Sequence, residues 1–579
     1  MRNFRFLLRP SLLLILGTLS LPASAEVHGP LGASLDRYMK SLAGYGYSGA
    51  VLVAKGGQVI LNQGYGLADR GRKTPFTTDT LFDIASISKQ FTAAAVLRLE
   101  MQGKLKVEDR LGKFFPSAPP DKAAITLHDL LTHTAGLPES VGDEYQPLSR
   151  EDFLKKIFAA PLRHPPGKRF EYSNAGYSLL AAVVEAISKR SLGEFLRDEV
   201  FLKAGMRHTG FLPDAADRPR LAHGYTVNGD WGTPLDQPMA PDGPWWNLRG
   251  NGGILTTTGD LYLWNQALQG DAVLSAPERE KYQRPYVRET GAPEPRYAYG
   301  WSILMNPRPM IAHVGGNGAF NSDLRRYPKD GVMIFASTNT ADFAATITAD
   351  QLERRVFGQS GVVEPPAIAA ASKDDLQRCA GAYKLASGEG LKVTAEGDRL
   401  AIAPEGHEGL AVLFGTPGKN RQRRFEERNH QVGQALEAAK SGNLSPLGEI
   451  LNLDPERTAE RWRSTLAGSK KELGDWKGAT VIGTESNGGG IVVTYARLAF
   501  AKGTRVLKFS WSGPNAESLG IAPGLPPAYF LPEGPGRFAT YDLGTDLIGH
   551  LTCAGAKGPA TALRFETAGG VVEARRAAN

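Results

Sequence analysis

The hydrophobic pattern changes character several times along the chain. It begins with one unbroken apolar run, residues 11–21, preceded by Arg2, Arg5 and Arg9 and followed by Pro22-Ala23-Ser24-Ala25. The run is too short to span a bilayer and ends in small residues of the A-x-A type, so residues 1–25 are expected to be a secretory signal cut after Ala25. Residues 49–54 and 58–62 then flank Lys55-Gly56-Gly57, the pattern of a β-hairpin with a glycine turn. From Ser86 to about Gln269 the apolar spacing is mostly helical, starting with Ser86 to Glu100, a stretch rich in good helix formers. Residues 124–138 predict a short helix stopped by Gly136 and Pro138. Strand patterns return at 299–304, 310–314, 321–327 and 331–337, and a helix through 344–356 follows. Strands at both ends with helices between predict an α+β domain over residues 26–360. One antiparallel sheet would be closed by the two ends, with the helical region packed beside it.

Beyond it, residues 361–374, with Pro365-Pro366 and an alanine run, read as a linker. Short strands are predicted from Cys379 through about Phe425 and again at 537–542, 562–566 and 569–576. Between them lie helical stretches at 431–451 and 455–470 and alternating strands at 479–484, 490–498 and 505–511. The expectation is a C-terminal β-rich region in two parts, residues 375–428 and 525–579, separated by an α+β insert at 429–524.

Composition narrows the classes. The chain carries 67 basic and 60 acidic residues, a net +7. Loss of the first 25 residues removes three arginines and no acids, leaving a weak positive field. The longest basic block, Arg421-Gln422-Arg423-Arg424, reads as a solvated turn or strand edge. Nucleic acid is not implied, nor is membrane insertion after signal cleavage. The 579 residues exceed what one core usually covers, in line with several domains. The two cysteines, Cys379 and Cys553, sit in a chain expected to be periplasmic or secreted. Either they pair or each is a small buried apolar residue, and no third ligand nearby favours a metal.

Three small motifs carry chemistry. In Ser86-Ile87-Ser88-Lys89 the serine opens a helix and the lysine shares its face three residues on. A hydroxyl needs a neighbour to take its proton, and an ammonium partly buried at a helix N-terminus can lose charge and become that neighbour. Tyr172-Ser173-Asn174 lies in a loop entering a helix, and His313-Val314-Gly315-Gly316 ends an apolar strand where a glycine pair lets a substrate approach the backbone. Each is uninformative alone; their order is not.

That order resembles the serine β-lactamase and penicillin-recognising superfamily. It looks most like the branch with class C β-lactamases, D-alanyl-D-alanine carboxypeptidases, D-aminopeptidases and esterases. Residues 130–137, Leu-Leu-Thr-His-Thr-Ala-Gly-Leu, and residues 252–261, Gly-Gly-Ile-Leu-Thr-Thr-Thr-Gly-Asp-Leu, are similar to that branch's connecting segments. The resemblance implies acyl transfer without a cofactor or metal, on a small peptide, amide or ester. Ser86 would be the nucleophile, and Lys89 or Tyr172 the base. Asn174 would bind substrate and hold Lys89, and the N–H groups of Ser86 and Gly316 would form the oxyanion hole. His313, with Gly315, stands where class C enzymes carry K-T-G; a histidine titrating near neutrality would grip a substrate carboxylate less firmly, favouring peptidase, amidase or esterase work over lactam cleavage. His133 is read as structural. The stretches at both ends of the last third resemble the lipocalin-like barrels of D-aminopeptidase relatives, and a single barrel would make Cys379 and Cys553 neighbours able to pair.

Overall fold

The computed structural model describes residues 25–577 apart from 227–228, 290–295, 306–307, 371, 415–418, 454, 487–490, 513–514, 523, 556–557 and 568–569. Apart from Ala25, the expected signal lies outside the described residues. The sheet of the first domain uses both of its ends. Its strands are β1 (Glu26–Val27), β2 (Gly49–Lys55), β3 (Gln58–Tyr65), β4 (Val287–Arg288), β5 (Arg296–Tyr297), β6 (Ser302–Leu304), β7 (Met310–Gly316), β8 (Asn321–Tyr327) and β9 (Val332–Thr338). Among the described residues they form one nine-stranded antiparallel sheet in the order β1-β3-β2-β9-β8-β7-β6-β5-β4. The β2–β9 pairing, with Val51 opposite Ala336 and Lys55 opposite Val332, closes the domain.

Alternation along these two strands feeds two cores. Val51, Val53, Ile334 and Ala336 pack with helices α1 (Gly29–Gly44) and, further along the chain, Ala345–Val356. Ala50, Leu52, Met333 and Phe335 face the helical region instead. That explains why β9 is buried along its whole length and carries no polar face to solvent. Within the helical region, α2 (Lys89–Met101) is buried nearly all round, so it is a central helix with no solvated stripe. Of the later helices, α3 (Asn174–Ser188) packs beside α2 in the same region, and α4 (Ala345–Val356) follows β9 on the opposite face of the sheet.

Among the described residues, the last third forms a closed eight-stranded barrel with a module set into it. Strands β10 (Gly381–Lys384), β11 (Gly390–Glu396) and β12 (Arg399–Pro404) precede the module. The module's sheet is β13 (Trp476–Ser486), β14 (Val492–Phe500), β15 (Gly503–Ser512) and β16 (Asn515–Ala522). The barrel resumes with β17 (Ala528–Gly534), β18 (Arg537–Asp542), β19 (Leu547–Ala554), β20 (Ala562–Thr567) and β21 (Gly570–Arg576). Strand β12 pairs directly with β17 across the insertion, Leu400 opposite Phe530, and β10 closes on β21. Cys379, at the end of α5 (Lys373–Cys379), is bonded to Cys553 of β19, with Cα atoms 5.7 Å apart.

Two expectations fail in this region. Residues 405–425 are not strands: α6 (His407–Phe414) and α7 (Lys419–Lys440) occupy them, followed by α8 (Ser445–Leu451) and α9 (Pro455–Leu473). A short apolar run such as Leu-Ala-Val-Leu-Phe fits either state, and tertiary packing decides. Arg421–Arg424 therefore lies on a helix rather than at a turn or strand edge. Val432, Ala435, Leu436 and Ala439 give that helix its buried stripe at i, i+3, i+4, i+7 spacing. The barrel also docks on the first domain. Arg354 of α4 pairs with Asp546 at 2.7 Å, and Tyr541 and Leu543 enter the core beneath α1 and α4.

Candidate active site

Ser86 sits on a single 3-10 turn, Ala85–Ser88, that leads into α2. The turn begins in a costly conformation: Ala85 has φ 44°, the left-handed region that residues with a Cβ avoid. Asp83 holds it there, its Oδ1 accepting the Ala85 N–H at 2.7 Å, while Oδ2 accepts from Asn317 Nδ2 at 3.1 Å. Burial pushes the Asp83 carboxyl up to about 7 against these donors.

Lys89, one turn on, is completely buried. Its Nζ lies 2.9 Å from Ser86 Oγ and donates to the main-chain oxygen of Asn251 at 2.9 Å. Both partners are neutral, so burial dominates and pulls the ammonium down to about 7, against the opposing pull of Glu144 and Glu139. Thr92, three residues further, donates to Gly250 O at 2.7 Å, so the 250–251 segment clamps the first turn of the helix.

Tyr172 completes the cluster. Lys89 Nζ stands 4.9 Å from the centre of its ring, and the ring lies 4.3 Å from that of His133. Burial drives the Tyr172 phenol far above its ordinary value, and a hydrogen bond with Ser86 offsets only part of this. His133 is itself buried at φ 56°, and its Nδ1 accepts the Ser173 N–H at 3.0 Å. That bond props the loop carrying Tyr172, and burial keeps the imidazole neutral. Ser173 then caps α3 by accepting from Gly176 N at 3.0 Å. Asn174 follows with its Oδ1 buried and without a partner. The grip on Lys89 expected of Asn174 comes instead from the Asn251 carbonyl.

His313 differs from expectation in its charge. Its Nδ1 lies 2.6 Å from the Val314 carbonyl, which can only accept, so Nδ1 carries the proton. Nε2 is then the acceptor for the Tyr297 hydroxyl at 3.0 Å. Burial, with the Lys89 charge adding to it, lowers the imidazole to about 3. A histidine titrating near neutrality is thus replaced by one that stays neutral and faces a tyrosine.

Two positions further along β7, Gly315 leaves room for the nucleophile turn: a Cβ there would stand 2.1 Å from Ile84 O and 3.3 Å from Ser86 N. Asn317 N donates to Phe320 O at 3.2 Å, so Gly316 and Asn321 form the next, non-bonded pair of the hairpin. The Gly316 N–H therefore turns out of the ladder, away from β8. Asp83, Asn317, Tyr297 and Asn251 carry roles that sequence reasoning missed. Only Asn251 had a visible hint, an asparagine between glycines in Arg249-Gly250-Asn251-Gly252-Gly253, directly ahead of a segment already singled out.

Comparison with known proteins agrees with this geometry. Penicillin-binding protein 4* of Bacillus subtilis is 29% identical over 396 residues, covering 63% of this chain and 86% of that protein. The protein PbpX of the same organism, described as a putative penicillin-binding protein, is 30% identical over 300 residues, covering 52% and 71%. An octameric penicillin-binding protein homologue from Pyrococcus abyssi superposes over 93% of this chain and 99% of its own, with TM-score 0.51 and 18% identity, a likeness of fold through the C-terminal region as well. Residues 35–356, more than half of the chain, match the model of the Beta-lactamase family. The chain belongs to the beta-lactamase family and is a serine hydrolase of that family.

Proposed function

We propose that this protein is an exported acyl-serine hydrolase in which Ser86 is the nucleophile and Lys89 its base, cleaving amides or esters of D-amino-acid-containing or peptidoglycan-like peptides, or small esters. The observation that carries the reading is the 2.9 Å approach of Lys89 Nζ to Ser86 Oγ, with the amine's other hydrogen bond going to a main-chain carbonyl and no carboxylate within ion-pair distance among the described residues. An amine held near 7 is neutral in a substantial fraction of molecules at physiological pH, and that form takes the Ser86 proton as Oγ attacks the carbonyl. The phenol of Tyr172, pushed the other way, keeps its proton and relays between Lys89 and the leaving group. The N–H groups of Ser86 and Gly316 receive the developing oxyanion. Water then repeats the sequence on the acyl-enzyme.

Charge at the site argues for the substrate class. With His313 neutral, it offers no cation to a substrate carboxylate. The acids whose fields reach Lys89 and Tyr172 are Glu139, Glu144 and Glu289, the last two raised by burial. Neutral or amino-bearing substrates suit such a pocket better than carboxylate-bearing lactams. A second reading, slow-turnover penicillin binding, draws support from the two Bacillus relatives. Export rests on the N-terminal signal pattern. Intact-mass detection of a Ser86 adduct with a fluorophosphonate or a penicillin, and its decay rate, separates turnover from trapping. A panel of D-amino-acid amides, D-Ala-D-Ala peptides, short-chain esters and nitrocefin then ranks the substrates; nitrocefin as the best of them would overturn the amide and ester assignment.

A further inference from the structure

A second cavity lies where the hydrolase domain, the barrel and the inserted module meet. It encloses about 590 Å³, within the range of small-molecule sites. Tyr47 and Phe343 line it from the hydrolase domain, Val493 and Tyr495 from the inserted sheet, and Tyr529 and Tyr541 from the barrel.

The inserted sheet shows why this wall is unusual. One face of β15, with Leu507, Phe509 and Trp511, packs on the module's own helices. On a small module the opposite face would ordinarily be solvated and polar. Here it carries Val493, Tyr495 and Val506 in a separate apolar cluster, and Lys508 and Ser510 beside them line the cavity.

Three cations converge on this space: Arg70, Arg399 and Lys508. The Arg399 guanidinium lies 3.9 Å above the Tyr529 ring and that of Arg70 4.1 Å above Tyr225. No carboxylate stands within ion-pair distance of any of the three among the described residues. The lining acids do not neutralise them. Asp542 is buried, which raises its carboxyl, and its Oδ1 accepts from Ser486, Gly544 and Thr545; Asp342 on the lining and Glu396 just outside it then stand against three cations. Burial lowers the Lys508 ammonium and Asp342 opposes the shift, which places the two near each other. Burial raises the Tyr529 phenol, and Arg399, Glu396, Asp342 and Arg70 all act on it, so both guanidiniums lie near the ring that lines the cavity, with Glu396 opposite Arg399 on the neighbouring strand.

We propose that this cavity binds an amphipathic organic anion, a single carboxylate or phosphate head on an apolar body, with the head between Lys508, Arg399 and Arg70 and the body along the aromatic wall. An aromatic wall without the cations would fit any apolar molecule, and the cations without the wall would fit an inorganic ion; their combination selects both properties in one ligand.

Titration calorimetry of the full chain with dodecanoate and with dodecyl phosphate, each well below micelle formation, tests this. Dodecyl maltoside serves as the neutral control. The expected result is one-to-one binding of at least one anion, weakened roughly tenfold in Lys508→Gln and again in Arg399→Gln, with the maltoside weaker than either. The stronger of the two anions identifies the head group. Equal binding of the maltoside, binding indifferent to both substitutions, or no binding by either anion would overturn the proposal. Far-ultraviolet circular dichroism and the unliganded melting curve establish that the variants are folded, and neither readout depends on Ser86.

Discussion

Asp83 and Asn317 are joined by a 3.1 Å hydrogen bond that ties the nucleophile turn to the hairpin following β7. The same carboxylate fixes Ala85 in its left-handed conformation, so one buried side chain sets the spacing between Ser86 and the Gly316 N–H. In Asp83→Asn an amide N–H must confront either the Ala85 N–H or the Asn317 amide, donor against donor. We expect kcat to fall by about 10- to 100-fold, the scale on which small misplacements act, with KM little changed. Asp83→Asn combined with Asn317→Asp exchanges donor and acceptor and restores both bonds. Recovery of kcat in the double variant is the decisive measurement; a double variant worse than either single one would refute the positioning role.

The pH dependence of acylation reports on Lys89. Its pKa is lowered to about 7, so above that value the amine is neutral and accepts the Ser86 proton, while below it the charged form does not. Single-turnover acylation should be flat on the alkaline side and fall at least tenfold per pH unit well below 7, more steeply where protonation of Asp83, itself raised to about 7, loosens the turn. Lys89→Arg keeps a cation of similar reach that stays protonated. It should be as inactive as Lys89→Ala, and both as inactive as Ser86→Ala, because the members of one proton-transfer unit fail together. Substantial turnover by Lys89→Arg would shift the base to Tyr172. With the imidazole of His313 lowered to about 3, no second step near pH 6.5 is expected from it.

Gly315 tests the closeness of strand and nucleophile turn. An added Cβ would meet the Ile84 carbonyl at 2.1 Å, and that atom is backbone with no rotamer to give way. In Gly315→Ala β7 must move off the turn, separating the Gly316 N–H from Ser86. Loss of one oxyanion donor costs about 10²–10³ in rate, so we expect a loss of that size. Gly318→Ala, at a site with open space, is the control although its φ is positive. Near-normal acylation by Gly315→Ala would mean that Gly316 does not face the oxyanion.

What the sequence made legible was local. Ser86 and Lys89 share a helical turn, Tyr172 and Asn174 flank a helix cap, and Gly56-Gly57 sits at a two-strand turn; each is set by neighbours a few positions away. The barrel closing across its insert was legible through the likeness of its two end stretches to one kind of barrel, while the strand pattern alone misplaced residues 405–425. What stayed hidden depends on tertiary packing. Asn251 acts through a main-chain carbonyl, which leaves no mark in the residue type. The neutrality of His313 follows from burial against Tyr297, 16 positions away in the chain. Residues 407–414 became helix because Leu410, Val412 and Leu413 found faces to bury against, which a short apolar run does not announce.

The Cys379–Cys553 bond spans 174 residues and joins α5, the helix that leads into the barrel, to β19, a barrel strand beyond the inserted module. Its contribution should therefore appear in the barrel and not in the active site, since every residue placed around Ser86 comes from the first domain. On the chain-entropy account, itself disputed, closing a loop this long stabilises by roughly 5 kcal/mol. Cys379→Ser with Cys553→Ser should lower the denaturant midpoint of a barrel signal such as hydrogen exchange in β10–β12. Exchange in β2 and β9, and labelling of Ser86, should change far less. An unchanged barrel midpoint would show that β12–β17 pairing and docking through Asp546 hold the barrel without the bond. Equal losses in barrel and sheet would show instead that the two domains unfold as one unit, with Arg354 and Tyr541 coupling them.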